Sequence, residues 1–192
     1  MDRQQKDKWD AIYAGRSVAD VRPAEVLLWY AHLLPTTGTA LDLACGLGGN
    51  SIFLAHHGLQ VCSWDISAQA VNTLRVAAAQ QQLAITAEER DVISAPPSAE
   101  QVDVLVVSYF LAREICPALS AALKPGGILF YQTFCQDKVT PSGPKNPQYL
   151  LAENELLQLF SGLTVRAYRE EGGLGDRQQG WRNQALLVAQ KN

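Results

Sequence analysis

The sequence is short of what would mark a nucleic-acid binder, a metal protein or a membrane span. Lysine and arginine number 16 against 19 acidic residues, charged residues are 18% of the chain and the formal net charge is -3. No basic field is therefore available to hold a phosphate backbone or an anionic membrane. The densest basic stretch, Arg3, Lys6 and Lys8, is interleaved with Asp2 and Asp7 and reads as a solvated face. The four cysteines, Cys45, Cys62, Cys116 and Cys135, form no Cys-x-x-Cys pair and have no histidine cluster nearby. That spacing excludes a structural zinc site or a redox dithiol, and each thiol reads as a small buried hydrophobe. No stretch approaches the roughly 18 apolar residues of a spanning helix, and residues 1–7 are polar, without an apolar signal core. These absences lead to the expectation of a cytoplasmic protein with no metal, no nucleic-acid partner and no membrane.

What is present is enough apolar residue, 47% of 192, for one sizeable core and too little chain for two. A single domain over residues 1–192 is expected, with helical stretches capping it in residues 1–35, centred on residues 9–13 and 25–33. The breaker cluster Pro35-Thr36-Thr37-Gly38 opens the core, residues 36–192. Strand and helix then alternate. Strands are expected over 40–44, 61–64, 85–89, 102–108 and 128–134. Helices are expected over 50–57, from Ser67 as N-cap to Gln82, and over 113–123, the last stopped by Lys124-Pro125-Gly126-Gly127. The run 102–108 is nearly unbroken in apolar residues around Asp103, as in a parallel strand covered on both faces. A polar, proline-rich loop (136–146) precedes a helix over 153–160. The last strands, 163–168 and 185–189, have no helix between them and predict an antiparallel hairpin. The fold class is α/β: a doubly wound, mostly parallel seven-stranded sheet with N-terminal helices and that C-terminal hairpin.

In such a sheet, ligands bind beyond the carboxyl ends of the strands where strand order reverses, and the first strand-to-helix turn is the usual contact. Here the turn is Asp42-Leu43-Ala44-Cys45-Gly46-Leu47-Gly48, leading to Asn50. Its glycines permit close backbone approach, and the helix beyond presents unpaired N–H groups. Asp65, at the second strand, is placed to accept hydrogen bonds from both hydroxyls of a ribose. Asp91, after the third, is placed to accept from an adenine amino group, with the Val92 N–H donating to the ring.

This ordered series resembles the class I S-adenosylmethionine (SAM)-dependent methyltransferases. Residues 41–48 match that family's first motif, residues 61–67 its second, Arg90-Asp91-Val92 its third, and Leu123-Lys124-Pro125-Gly126-Gly127 the turn before its fifth strand. The resemblance implies a Rossmann-like core with SAM as cofactor and S-adenosylhomocysteine (SAH) as product. It places Gly46 and Gly48 against the methionine part, Asp65 on the ribose, Ile66 on the adenine face, Asp91 and Val92 on the adenine edge, and Ser108 near the sulfonium. Ala44 stands where the family most often has glycine, which is tolerated only at negative φ, as expected at a strand end. A narrower resemblance, to the tellurite-resistance-type branch, rests on Trp9 and Tyr13 in an N-terminal helix, residues 45–51, and Gly143-Pro144-Lys145-Asn146-Pro147 leading to Tyr149. It implies a lid made by Trp9 and Tyr13.

The expected activity is methyl transfer to a small-molecule acceptor by in-line displacement, in a monomer or homodimer. No general base stands out: His32, His56 and His57 lie in helices remote from the strand ends. Acceptor-side candidates are Tyr109, Arg113, Asn146 and Tyr149. Arg113 either grips an anionic acceptor or pairs near Glu114. A SAM- or SAH-binding sensor or partner subunit shares every cofactor residue and is the alternative reading. An NAD-dependent oxidoreductase is disfavoured because Gly-x-Gly-x-x-Gly, started at Gly46, ends at Ser51.

Overall fold

The computed structural model describes residues 3–192, so Met1 and Asp2 of the polar opening run lie outside the described residues. Seven strands form one sheet in the order β3-β2-β1-β4-β5-β7-β6. They are β1 (Thr39–Leu43), β2 (Gln60–Asp65), β3 (Ile85–Glu89), β4 (Val102–Ser108), β5 (Leu123–Phe134), β6 (Thr164–Glu170) and β7 (Gln184–Gln190). β1 to β5 pair in parallel, whereas β7 inserts antiparallel between β5 and β6. The expected sheet, with its C-terminal hairpin, is the one observed. Strand order reverses between β1 and β4, which fixes the switch point beside the glycine-rich turn.

The helices are α1 (Arg3–Tyr13), α2 (Glu25–Tyr30), α3 (Gly49–His56), α4 (Ala68–Gln80), α5 (Cys116–Ala122) and α6 (Glu155–Leu159). Ser67 caps α4 as expected, its hydroxyl accepting from Ala70 N at 3.2 Å. α2 buries Val26 and Leu27 against Val104, Val106, Phe130, Leu186 and Val188. The boundary drawn at Pro35 therefore divides in sequence what packing joins: α2 belongs to the core. α1 differs, having no buried residue.

Three element boundaries differ from expectation. Residues 113–115 form a 3-10 turn before α5. The helix after the long loop is confined to Glu155–Leu159, entered through Asn154 in the left-handed region at φ 59°. The Pro125-Gly126-Gly127 stop is woven into β5: Leu123 pairs with Val102, the register shifts before Val104, and Gly126 N donates to Lys191 O at 2.9 Å. A turn whose N–H is satisfied in the ladder reads as a bulge. Asp103, the one charge in the β4 run, points to the amino end of the sheet. It accepts there from Lys124 Nζ at 2.9 Å and Thr39 N at 2.7 Å, and these partners, led by the Lys124 bond, hold its carboxyl below the usual range. No described helix is long and apolar enough to cross a membrane. All four cysteines are free, and no group of described side chains is arranged to hold a metal ion.

Candidate functional site

β1 delivers Asp42 to the base of the turn with no exposed surface. Its carboxylate accepts from Ser51 Oγ at 2.6 Å and from Asn50 Nδ2 at 3.3 Å, and Ser63 Oγ donates to Ser51 in turn at 2.8 Å. Burial raises the Asp42 carboxyl to about 6, against the opposing pull of these bonds. Asp42 thus lies under the turn and acts by holding α3's first residues. Asn50 is equally occupied: its Oδ1 accepts from Ala24 N at 2.9 Å and its Nδ2 donates to Ser108 Oγ at 2.8 Å. It ties β1, β4 and the segment entering α2 into one unit.

Above Asp42 the backbone turns left-handed three times, at Ala44 (φ 55°), Gly46 (φ 53°) and Gly48 (φ 82°). The expectation of a negative φ at Ala44 is wrong. The chain has already left the strand there, because Cys45 N returns to bond Trp64 O at 3.0 Å. A left-handed alanine costs about 1–2 kcal/mol. Ala44→Gly is accordingly expected to stabilise the protein by about 0.5–1 kcal/mol after the added freedom of the unfolded chain is subtracted. A urea midpoint that falls in this variant would contradict the assignment of strain.

The glycines differ in what they approach. A Cβ on Gly46 would stand 2.7 Å from the Tyr13 hydroxyl, whereas one on Gly48 would strike Leu74 of α4 at 2.4 Å. Gly46 therefore faces the cleft under Tyr13, and Gly48 is a packing glycine. Cys45 does not present its thiol to the cleft: it packs with Val71, Leu74 and Ala87, and burial raises its pKa well above the ordinary value.

Asp65, 5% exposed, accepts from Gly46 N and from Ser67 N, each at 2.8 Å, one on either carboxylate oxygen. Burial, opposed by those bonds, raises its pKa. Ile66, half-buried, follows it. Asp91 caps its own turn, accepting from Ile93 N at 3.1 Å, and Val92 is buried in the cluster with Trp64 and Leu111. Over this floor lies α1. Trp9 and Tyr13 stack at 5.7 Å, Asp10 accepts from Ser67 Oγ at 2.6 Å and Gln69 N at 3.1 Å, and Lys6 pairs with Glu89 at 2.8 Å. With no fully buried residue, α1 is the kind of element that opens at low cost. Burial first, then the Asp65 charge, push the Tyr13 phenol up, so it stays a hydroxyl.

On the other side of the switch point, β4 ends at Ser108, opposite Gln132 of β5. Tyr109 follows in a left-handed conformation (φ 57°) with its ring 5.3 Å from Phe134. Its hydroxyl donates to Glu25 Oε2 at 3.2 Å and accepts from Gln132 Nε2 at 3.1 Å. Gln132 also bonds Glu25, Gln184 and, through its oxygen, Val26 N. Sequence reasoning missed Glu25, Gln132 and Gln184, and nothing local marks them.

Arg113 is committed elsewhere. Nε and Nη2 grip Glu155 at 2.5 and 2.8 Å, Nη1 donates to Gln148 O at 2.7 Å and Nη2 to Leu150 O at 2.9 Å. Neither the anion grip nor a pairing near Glu114 is observed. Arg113 staples the exit of the long loop to α6. With its side chain 37% exposed, the pair should be worth about 2 kcal/mol, below the 3–5 of a fully buried one. Arg113→Ala is expected to lower stability by that amount and to speed proteolysis within 136–149, with SAH affinity kept. A fall in SAH affinity with unchanged stability would place Arg113 at the cofactor instead. Asn146 caps the turn at Pro147–Tyr149 by accepting from Gln148 N at 3.0 Å, and Tyr149 is 40% exposed.

The donor set beneath Tyr13 suits a nucleoside with an amino-acid arm: a fixed carboxylate keeping lone pairs after two backbone bonds, and a glycine open to close approach. The model of the methyltransferase domain matches residues 40–127, from β1 to the bulge in β5. TehB of Haemophilus influenzae, named as an S-adenosyl-L-methionine-dependent methyltransferase, is 31% identical over 141 residues, 69% of this chain and 48% of TehB. Its crystal structure superposes with a TM-score of 0.70 at 26% identity, covering 88% of this chain and 62% of that one. Together these likenesses support a class I SAM-dependent methyltransferase of the TehB-like type. Hemagglutinin 1 of Eikenella corrodens is 32% identical over 143 residues, 70% of this chain and 46% of that protein. The chain thus spans about half the length of the curated relatives it matches. Geranyl diphosphate C-methyltransferase from Streptomyces coelicolor A3(2), solved with S-adenosyl-L-homocysteine, shares the fold at a TM-score of 0.70 and 14% identity, over 88% of this chain and 80% of that one.

Proposed function

We propose that this chain transfers the methyl group of SAM to a small-molecule acceptor bound over the carboxyl ends of β4 and β5 and the amino end of β7. The observation that carries the proposal is Asp65, fixed by Gly46 N and Ser67 N at the end of β2 beside the switch point. Asp65 accepts the ribose hydroxyls, Gly46 admits the methionine arm, Ile66 and Val92 flank the adenine, and Asp91 takes the adenine amino group. Asp42, Ala44, Cys45, Gly48 and Asn50 shape the turn from beneath. Trp9 and Tyr13 close over it on α1. SAM, when bound, supplies an electrophilic methyl carbon whose bonding pair departs with a neutral thioether, so this chain's residues mainly orient the acceptor and exclude water. Ser108, tied to Asn50, sets the boundary between the cofactor and acceptor sides.

Incubation with methyl-labelled SAM and a cell extract split by size tests the acceptor class. Label passing to the low-mass fraction is the expected result. Label found only in protein or RNA would contradict a small-molecule acceptor.

A further inference from the structure

The hydrogen-bonded cluster at the carboxyl ends of β4 and β5 and the amino end of β7 contains one charged group, and it is negative. Glu25 Oε2 is taken by the Tyr109 hydroxyl and the Gln132 amide, while Oε1 accepts no bond from any described residue. The neighbours that hold it are themselves committed. Gln132 is fully buried and bonded through both ends of its amide, and Tyr109 is held in a left-handed conformation, with Tyr109 N donating to Gln132 O at 2.8 Å. The Tyr109 ring, whose hydroxyl reaches this carboxylate, is 47% exposed and lies 5.3 Å from that of Phe134. Arg113, four residues past Tyr109, is locked on Glu155 and two carbonyls, and Lys138 on the loop carbonyls of Ser142 and Pro144.

A carboxylate with one oxygen left open attracts a cation and repels an oxyanion. We infer that the acceptor is an amine, with Glu25 as its recognition residue and Tyr109 and Gln132 as the positioning residues that aim the Glu25 carboxylate. This rests on the methyltransferase reading and names the substrate class of the same site. The amine reacts in its neutral form, its proton having gone to solvent. The nitrogen lone pair forms the new N–C bond as the S–C bond breaks, and the pair from that bond stays on sulfur. Positive charge passes from sulfur to nitrogen, leaving a methylated ammonium. A fixed carboxylate beside the nitrogen stabilises that charge where it develops, and no general base is needed. The absence of a well-placed histidine is then a consequence of the chemistry.

The test is a calorimetric titration of the SAH-loaded protein with benzylamine, charged at neutral pH, beside benzyl alcohol as a neutral isostere and sodium selenite as an oxyanion. The inference predicts that benzylammonium binds at least tenfold more tightly than either other probe. It also predicts that Glu25→Gln loses tenfold or more of that affinity, that Glu25→Asp restores part of it, and that SAH affinity stays unchanged in both. Preference for selenite, no binding of benzylammonium, or equal binding to Glu25→Gln would overturn it. If SAH fails to bind in the preceding titration, the methyltransferase reading fails and this inference goes with it, so the two failures are told apart.

Discussion

Asp65→Asn is expected to weaken SAH binding by about 3 kcal/mol, roughly a hundredfold in Kd, because two charge-assisted hydrogen bonds to the ribose lose their anionic acceptor. The geometry makes this variant more informative than alanine. Asp65 also accepts from Gly46 N and Ser67 N, and alanine would leave both buried N–H groups unsatisfied at about 1–3 kcal/mol each. Asparagine keeps one of those bonds and the side-chain shape. Its stability loss should therefore be one such penalty, and a melting curve separates that loss from the change in affinity. Calorimetry on the folded variant that returned the wild-type Kd would remove Asp65 from the cofactor site.

Stability should fall as pH rises from about 4 to about 6, and Asp42→Asn should abolish much of that fall. Burial raises the folded-state Asp42 carboxyl to about 6 from its ordinary 3.8. The folded chain thus holds this proton more tightly than the unfolded chain does. The resulting stabilisation is complete below the unfolded value and is lost through the folded one. A gap of about two pKa units corresponds to about 3 kcal/mol. Asp65, shifted in the same direction, adds to the trend. The paired carboxylates Asp103 and Glu155 are shifted down and lose their contributions only at more acidic pH. Asparagine at position 42 keeps the side-chain shape, accepting from Asn50 and donating to Ser51 Oγ, while it removes the titrating group. Urea unfolding of both proteins between pH 4.5 and 7.5 measures the difference, and parallel stability profiles would contradict the account.

Much of the fold is legible because it follows local rules. The apolar run 102–108 is β4 to the residue, since a strand covered on both faces needs no alternation. The hairpin follows from the missing helix before Gln184. The bulge in β5 was not legible, because only pairing with Lys191, 65 residues from Gly126, turns a helix-stopping Pro-Gly into part of a strand. The candidate site divides in the same way. Asp42, Gly46, Asp65 and Asp91 sit at positions fixed by strand ends and are found from spacing. Glu25 meets Tyr109 from 84 residues away and Gln132 from 107, and Arg113 meets Glu155 from 42. Such partners are made by the sheet's crossovers, so the sequence near Arg113 suggested Glu114 and the structure supplies Glu155. Ala44 failed for a subtler reason: strand geometry ends one residue sooner than the apolar run.

The central claim, that the turn over Asp42 and the carboxylate of Asp65 form a SAM site, is tested most directly by calorimetric titration of the purified protein with SAH, with NADH as the control ligand. The account predicts micromolar or tighter binding of SAH and none of NADH. Binding of NADH alone, or of neither ligand, would contradict it.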